Sequence, residues 1–203
     1  MKNHNNIQQR SPEWHQIRKG KVSGTVLKSI MGTPKARQDA IYELVAERLT
    51  VGVDDEYENA MDRGNRLEDA AIAMFELESG FSVDKTGISE SDENSMIINS
   101  PDGLIGDNMA IEVKCMGGKN HVKMWLTNKV PDEYEWQVVQ YFIVNEKLEK
   151  LFFVGYNPDI PSHELHVIEV RREEILQKIF DAKKSQEIVL QEVNAILSTI
   201  IKI

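Results

Sequence analysis

The sequence predicts an α/β fold, in which a single domain has a central mixed β-sheet flanked by helices. Helix-like segments come first, about five strand-like segments interrupted by helices follow, and one long amphipathic segment closes the chain. The length of 203 residues suffices for one sizeable core and is short for two domains. No internal repeat interrupts this order, so we expect one continuous core.

The first part of the chain is predicted to be helical. Residues 1–10 are polar, and we expect them to be a flexible terminus that precedes a single domain over residues 11–203. Ser11-Pro12-Glu13 indicates a helix start, because serine caps free amides and proline suits the first helical position. Four helices are predicted here, over about residues 11–20, 23–32, 38–50 and 57–79, with a connector at 51–56.

Alternating apolar residues predict strands in the second part of the chain. The strand-like segments are 81–90, 96–98, a hairpin at 104–113, 150–156 and 163–170. The segment 131–146 is apolar on nearly all sides, which indicates a buried helix. The last 30 or so residues carry an apolar stripe. We expect them to form a helix that packs on the sheet or on a neighbouring subunit.

Composition disfavours several classes of protein. Cys115 is the one cysteine, so the chain has neither a disulfide framework nor a four-cysteine metal site. Residues 1–6 lack the apolar run of a signal peptide, and no stretch approaches the roughly 20 apolar residues that span a bilayer. The phosphate-binding pattern Gly-x-x-x-x-Gly-Lys-Ser/Thr is absent. We therefore expect a cytoplasmic protein that has no membrane partner and is no ATP-driven motor.

Charge is distributed unevenly along the chain. The net charge of −9, taken alone, disfavours nucleic acid as a partner. Residues 1–37, however, carry eight basic residues and one acidic residue, and residues 113–131 contain four lysines and no acidic residue. Local basic surfaces on an acidic body suit an enzyme that holds a polyanion in one groove. A solvated lysine face is an equal alternative for either stretch.

The most informative stretch is residues 99–115, where two turn signals separate short apolar segments. A Ser-Pro-Asp-Gly sequence places Asp102 in a turn, and the hairpin after it can bring Glu112 close. Side chains alternate along a strand, so Glu112 and Lys114 share one face and the apolar residues share the other. Two carboxylates this close repel each other unless a cation lies between them, and Mg²⁺ or Mn²⁺ prefers oxygen ligands. A turn aspartate and a solvated strand face are the ordinary alternatives.

A second candidate site lies near the N-terminus. Arg18 lies near the end of the first predicted helix, and Ser23 and Thr25 begin the second, so a guanidinium, hydroxyls and free amides lie at adjacent helix ends. This combination suits a phosphate group. The ordinary alternative is that Arg18 only covers the ring of Trp14.

Glu68 falls on the apolar stripe of the helix predicted over 57–79. A carboxylate at such a position is costly unless it is paired or bound to metal. Glu68 is therefore a further candidate ligand, and a local partner such as Arg63 or Arg66 is the alternative.

Gln137 and Gln140 interrupt the apolar helix predicted over 131–146. Buried amides need hydrogen-bond partners. A metal-bound water, a DNA phosphate or the backbone could supply them, and the sequence leaves these three partners open.

Several separated segments together resemble one group of nucleases. The Pro-Asp pair at Asp102, followed by Glu112 and Lys114, resembles the PD-(D/E)xK nuclease core, which implies a restriction-endonuclease-like core in the sheet. The chain resembles the lambda-exonuclease (YqaJ-like) family of phage recombination nucleases over roughly residues 11–160. The segments that carry this resemblance are Glu13-Trp14-His15-x-x-Arg18, Ser23-Gly24-Thr25, Arg63-Gly64-x-x-x-Glu68, Ser100-Pro101-Asp102-Gly103-Leu104, Ile111-Glu112-Val113-Lys114-Cys115 and Gln137-x-x-x-Tyr141.

The resemblance implies a Mg²⁺-dependent exonuclease that digests one strand of double-stranded DNA from its 5′ end. The remaining 3′ tail would then enter phage-type recombination by strand annealing. The implied partners are double-stranded DNA ends, a single-strand annealing protein and further copies of the chain in a homotrimeric ring. Two metal ions are expected, and Mn²⁺ is expected to substitute for Mg²⁺.

The resemblance also implies roles for residues at matching positions. The implied metal ligands are Glu68, Asp102, Glu112 and the backbone carbonyl of Val113. Lys114 is implied to orient or deprotonate the attacking water, and Gln137 matches a catalytic glutamine of the family. Candidate contacts with DNA or its 5′-phosphate are Arg18, Ser23, Thr25, Lys119 and, more weakly, Gln140.

Other functions stay open at this point. The chain could be another PD-(D/E)xK enzyme, such as an endonuclease or a RecB-type nuclease module. It could also be a scaffold that binds DNA ends without cleaving them, although the complete set of acidic residues and the lysine disfavour an inactive remnant. The least specific alternative is a structural α/β domain in which the motif is coincidental.

Overall fold

The computed structural model describes residues 1–50 and 62–201, apart from the side chains of residues 62–66. These residues form an α/β domain, as the sequence predicts. The strands are β1 (Lys2–His4), β2 (Ile88–Glu90), β3 (Ile98–Asn99), β4 (Gly103–Ile105), β5 (Met109–Cys115), β6 (Lys150–Tyr156) and β7 (Leu165–Arg171). The helices are α1 (Pro12–Arg18), α2 (Gly24–Ile30), α3 (Pro34–Leu49), α4 (Asp62–Ser79), α5 (Gly118–Thr127), α6 (Glu135–Val144) and α7 (Leu176–Ile201). The connector predicted at 51–56 and the helix start predicted at residue 57 lie outside the described residues.

Four strands form the central sheet in the order β4-β5-β6-β7. The strands β5 and β6 run parallel, with Met109 opposite Lys150 and Cys115 opposite Tyr156, whereas both outer pairs are antiparallel. The sheet is therefore mixed, and this prediction is confirmed. A parallel pair needs a long crossover, and α5 and α6 form it between β5 and β6.

Helices cover both faces of the central sheet. The core on one face includes Phe142 of α6 and Phe153 of β6, together with residues of α2 and α7. On the other face, Phe75 of α4 packs with Ile111 of β5. Alternation along β5 therefore turns Ile111 towards α4 and Glu112 towards α6, which is the division of faces that the sequence predicts.

A second, smaller sheet has the order β1-β2-β3 and is antiparallel throughout. Its outer strand β1 belongs to the segment 1–10, so part of this segment joins a sheet, and its predicted flexibility stays a prediction. Polar side chains hold this segment, because Ser89 donates a hydrogen bond to Asn3 at 2.8 Å and Thr86 donates one to Asn5 at 2.9 Å. Contacts of this kind leave no hydrophobic period in the sequence, so pattern analysis does not detect them.

Several element boundaries differ from the predicted ones. The third helix begins at Pro34 rather than near residue 38, because Thr33 accepts a hydrogen bond from the first-turn backbone at 3.2 Å. The strand predicted over 81–90 is reduced to β2. The helix predicted over 131–146 starts as one 3-10 turn at Asp132–Tyr134 and continues as α6.

The closing helix α7 packs mainly on α2, α3 and α6. Its buried side chains include Ile179, Val189 and Val193, and Arg37 of α3 pairs with Glu192 at 3.8 Å. The predicted amphipathic helix is thus present and covers other helices. Within the described ranges, no helix combines the length and apolar character needed to cross a membrane.

Candidate active site

Glu112 lies in the middle of β5 and is fully buried. Both of its carboxylate oxygens accept hydrogen bonds from protein donors. The Gln137 amide donates to Oε1 at 2.7 Å, the Lys114 ammonium donates to the same oxygen, and the Tyr141 hydroxyl donates to Oε2. A buried carboxylate is costly without such partners, so β5 and α6 together stabilise its charge.

Asp102 lies in the turn before β4, beside the same strand. Its Oδ2 accepts a hydrogen bond from the Val113 backbone at 2.7 Å, and its own N–H donates to the Tyr141 hydroxyl at 3.3 Å. The predicted hairpin is present, because β4 and β5 pair antiparallel with Gly103 opposite Ile111. This pairing brings Asp102, which precedes Gly103, close to Glu112. Burial and then the charge of Glu112 raise the pKa of Asp102 well above its ordinary value.

Tyr141 joins the two acidic residues, and sequence reasoning assigned it no role. Besides its contacts with Glu112 and the Asp102 backbone, its hydroxyl oxygen lies 3.4 Å from the carbonyl oxygen of Ile111. Burial and then the neighbouring negative charges raise the pKa of Tyr141 well above its ordinary value, so the hydroxyl stays a donor. The sequence signal that could have identified Tyr141 is its spacing of four residues from Gln137, because this spacing puts both side chains on one face of the helix.

Lys114 projects from the same face of β5 as Glu112, and its side chain is 23% exposed. Its ammonium contacts Glu112 and lies 5.2 Å from the ring centroid of Tyr134. Burial lowers the pKa of Lys114, but the carboxylates of Glu112 and Asp102 outweigh burial, so the pKa is raised overall. The side chain therefore places a positive charge beside the two acidic residues.

Glu68 on α4 lines a pocket together with Asp102, and its side chain is 20% exposed. Its Oε2 lies 3.5 Å from Nη2 of Arg10, an ion pair that the sequence did not predict. Burial raises the pKa of Glu68, basic neighbours led by Arg10 oppose this, and the charge of Glu112 raises it further. The sequence offered Arg63 or Arg66 as an alternative partner of Glu68, but the side chains of both arginines lie outside the described part of the structure.

A pocket of about 380 Å³ lies beside these residues, and Glu68, Asp102 and residues 7–10 line part of it. Among the described side chains, no group of three or more His, Cys, Asp or Glu is positioned to hold a metal ion as it stands. The cation site predicted from Glu68, Asp102 and Glu112 therefore stays a prediction. The donor set fits a hard divalent cation chemically, because the charge of Glu112 raises the pKa of both Glu68 and Asp102 and a cation between these carboxylates would relieve that repulsion.

Arg18 makes the contact with Trp14 that the sequence left as its ordinary alternative, and its contact with a phosphate stays a prediction. Its guanidinium lies 4.1 Å from the ring centroid of Trp14, and its Nη1 also donates to Ser100 Oγ at 2.7 Å. Burial lowers the pKa of Arg18 to about 10, against the opposing effect of Glu47. Arg18 is thus a half-buried cation that lies beside the turn carrying Asp102.

The N-terminus of α2 lies against α6. Ser23 is buried and its side chain makes no capping hydrogen bond, whereas Thr25 is exposed. Gly24 approaches α6 so closely that an added Cβ would lie 3.0 Å from the Cα of Gln137. The Ser-Gly-Thr turn therefore lies next to the glutamine that binds Glu112.

Gln140 is not available to DNA, which corrects the weaker of the two glutamine predictions. It is fully buried, and its amide nitrogen donates to the carbonyl oxygens of Val22 and Ile98, both at 3.0 Å. Its Oε1 accepts a hydrogen bond from Gln186 at 3.0 Å. Of the three kinds of partner that the sequence left open, Gln140 therefore binds the backbone. The side chain of Gln186 on α7 is a further partner.

The predicted basic stretch lies partly on α5. Lys119, Lys123 and Lys129 are exposed, and none of them forms an ion pair with another described residue. The contact of Lys119 with DNA stays a prediction.

Two solved structures with high similarity place this fold in a class that contains exonucleases. An alkaline exonuclease (LHK-Exo) from Laribacter hongkongensis is 27% identical, with a TM-score of 0.85 and coverage of 95% of this chain and 97% of that chain. The same enzyme in complex with dAMP gives 28% identity, with the same TM-score and coverage. A phage-related exonuclease from Haemophilus somnus 129PT shares the fold at 17% identity and a TM-score of 0.63, over 89% of this chain and 96% of that chain. A search of curated protein sequences found no match.

The sequence profile of the YqaJ-like viral recombinase domain matches residues 13–147. The chain therefore belongs to the YqaJ-like family, and the resemblance drawn from its motifs is confirmed. The matched segment includes residues of the candidate site from α1 to α6: Arg18, Glu68, Asp102, Glu112, Lys114, Gln137 and Tyr141.

Proposed function

We propose that the chain is a Mg²⁺-dependent exonuclease that digests one strand of double-stranded DNA from its 5′ end and leaves a 3′ single-stranded tail. The observation that carries this proposal is the grouping of Glu112 with Lys114, Gln137 and Asp102, beside a pocket that Glu68 also lines. Family membership and the similarity to an alkaline exonuclease support DNA as the substrate.

The proposed metal ligands are Glu68, Asp102, Glu112 and the backbone carbonyl of Val113. Two ions are proposed, and Mn²⁺ is expected to replace Mg²⁺ because both prefer oxygen ligands. When bound, such cations supply charge neutralisation at the phosphate that is cleaved.

The chain's own residues hold and orient the reacting groups. Gln137 and Tyr141 bind Glu112 from α6, so its carboxylate keeps one orientation on β5. Lys114 lies beside that carboxylate, and its proposed role is to orient a water molecule or a phosphate oxygen. Arg18, Ser23, Thr25 and Lys119 are proposed to contact the DNA end.

Linear duplexes and covalently closed circles separate the proposed activity from its alternatives. With Mg²⁺ we expect the full chain to degrade linear duplex from its 5′ ends, to leave the circle intact and to stop when EDTA is added. Cleavage of the circle would indicate an endonuclease. Binding of duplex ends without cleavage, in the presence of either metal ion, would indicate a scaffold.

Lys114→Ala tests the role of the ammonium. We expect cleavage to fall about 10²-fold to 10⁴-fold while DNA binding is kept, because the residue acts on the reacting groups. Lys150→Ala is the matched control, since Lys150 lies on the neighbouring strand and pairs with Glu169 at 2.9 Å. Normal cleavage by the Lys114 variant would remove this residue from the mechanism.

Arg18→Ala tests capture of the 5′-phosphate. We expect digestion to slow mainly on 5′-phosphorylated ends, because a guanidinium binds a phosphate more strongly than a hydroxyl. Arg37→Ala serves as the control, since Arg37 pairs with Glu192 away from the site. Equal slowing on 5′-hydroxyl ends would contradict phosphate capture.

The partners and location that the resemblance implies belong to the same proposal. We expect a homotrimeric ring, which light scattering of the purified chain tests. A single-strand annealing protein would take over the 3′ tail, and co-purification of the chain with a single-strand annealing protein tests this. The one cysteine suits the reducing cytoplasm of a host cell.

A further inference from the structure

The N-terminal strap, which we define as residues 1–10, forms one wall of the pocket beside the acidic residues. Asn5 and residues 7–10 line the pocket together with Glu68 and Asp102. The strap lies directly against Gly87, because a Cβ there would clash with the carbonyl oxygen of Ile7. Glycine thus permits a backbone contact that any side chain would prevent.

Gln9 attaches the strap to the turn that carries Asp102. Its side-chain amide donates to the carbonyl oxygen of Thr86 at 3.0 Å and to that of Pro101 at 2.7 Å. Pro101 directly precedes Asp102 in the chain. The strap is therefore tied to the acidic site itself and not only to the outer strand of the small sheet.

Arg10 lies between two fixed residues in a left-handed backbone conformation, with φ of 68°. Gln9 is anchored on one side, and on the other Ser11 caps α1 by accepting a hydrogen bond from the Trp14 backbone at 3.2 Å. The left-handed region is unfavourable for a residue with a Cβ, and such strain persists where surrounding contacts impose it. Strained positions of this kind concentrate at functional sites.

The guanidinium of Arg10 is available to a ligand in the pocket. Its side chain is 32% exposed, and its one partner among the described residues is Glu68, at 3.5 Å. This contact is longer than a strong charge-assisted hydrogen bond and leaves most of the five N–H donors unused. Lys85 also lines the pocket, but its ammonium pairs with Asp69.

We propose that Arg10 binds a phosphate group of the DNA strand next to the bond that is cleaved. The planar guanidinium matches phosphate oxygens in a two-point contact, and its position beside Glu68 and Asp102 puts that phosphate at the acidic site. This inference rests on the proposed function and adds to it a substrate contact from the strap, which lies outside the family match at residues 13–147.

Salt-dependent DNA binding by Arg10→Gln tests this assignment. Affinity for a linear duplex is measured at several salt concentrations with Ca²⁺ in place of Mg²⁺, so that binding is recorded without cleavage. We expect the variant to bind about tenfold more weakly, and the slope of log affinity against log salt to fall by about one, because one phosphate contact is lost. Arg10→Lys should keep the slope, because the charge is retained. Arg171→Gln is the control, since Arg171 is exposed and pairs with Glu169 at 2.6 Å.

The opposite result is equally defined. If Arg10→Gln lowers the melting temperature but leaves the affinity and the salt slope of the folded chain unchanged, Arg10 only braces Glu68 and the assignment is overturned. The measurement does not depend on catalysis. A wild-type chain that binds duplex through Arg10 but cleaves no DNA with Mg²⁺ or Mn²⁺ would contradict the proposed function, whereas the contact of Arg10 with a DNA phosphate would still stand.

Discussion

The two walls of the site hold their acidic residues differently. On the inner wall, formed by β5 and α6, Glu112 is fully buried and three protein donors occupy its oxygens. On the outer wall, formed by α4 and the strap, Glu68 is 20% exposed, and its ion pair within the described part of the chain is a long one, with Arg10. The inner carboxylate is therefore fixed by the fold itself, whereas the outer one is free to exchange its partner for a ligand.

Glu112→Gln is the strongest test of this difference. The amide keeps the shape of the side chain but removes the charge, so we expect cleavage to fall about 10³-fold. The free energy of unfolding should also fall, by about 1–3 kcal/mol, because Lys114 and Tyr141 lose a charged partner. Duplex digestion and thermal unfolding measure the two effects. Glu169→Gln on β7 is the control, and unchanged cleavage by Glu112→Gln would remove this carboxylate from the site.

Glu68→Gln should separate activity from stability. We expect cleavage to fall about 10²-fold because a proposed metal ligand is lost. The free energy of unfolding should change by less than about 1 kcal/mol, since partly exposed ion pairs contribute little. The same two assays apply, with Glu78→Gln on the exposed side of α4 as the control. A large loss of stability would show that the outer wall is as rigid as the inner one.

Gln137 and Gln140 give the smallest and most selective test, because they lie one turn apart on α6. Gln137→Leu should reduce cleavage about tenfold with little effect on stability, because Glu112 loses one hydrogen bond while Lys114 still donates to the same oxygen. Gln140→Leu should lower the free energy of unfolding by about 1–3 kcal/mol and leave cleavage by the folded chain unchanged, because buried carbonyls lose their donor. The reverse pattern in digestion and urea unfolding would mean that the roles of the two amides are exchanged.

The inner wall was largely predictable because its signals are local. The alternation of β5 assigns Glu112 and Lys114 to one face, and the turn at Asp102 brings the chain back beside them. The bounds of β6 also match the predicted strand, because its apolar run fits a strand buried on both faces. Periodicity and turn chemistry act over a few residues, and these features depend on nothing more distant.

The outer wall was not predictable for the converse reason. Arg10 meets Glu68 across 58 residues of sequence, and the strap is positioned by Gln9 and by its contact with Gly87. A polar segment without an apolar period resembles a disordered terminus when only its composition is considered. Gln140 was misassigned similarly, because its partners lie on distant segments that no spacing rule brings together.

The hydrogen bonds of the Tyr141 hydroxyl affect the order in which parts of the chain fold. This hydroxyl joins Asp102 and Glu112, which precede it by 39 and 29 residues, so neither residue gains this partner until α6 has docked. Contacts between such distant segments form late, after their loop-closure entropy has been overcome. A nascent or half-folded chain can thus contain intact helices and still lack an assembled nuclease centre. Under the proposed function, this delay would protect cellular DNA from an enzyme that has not finished folding.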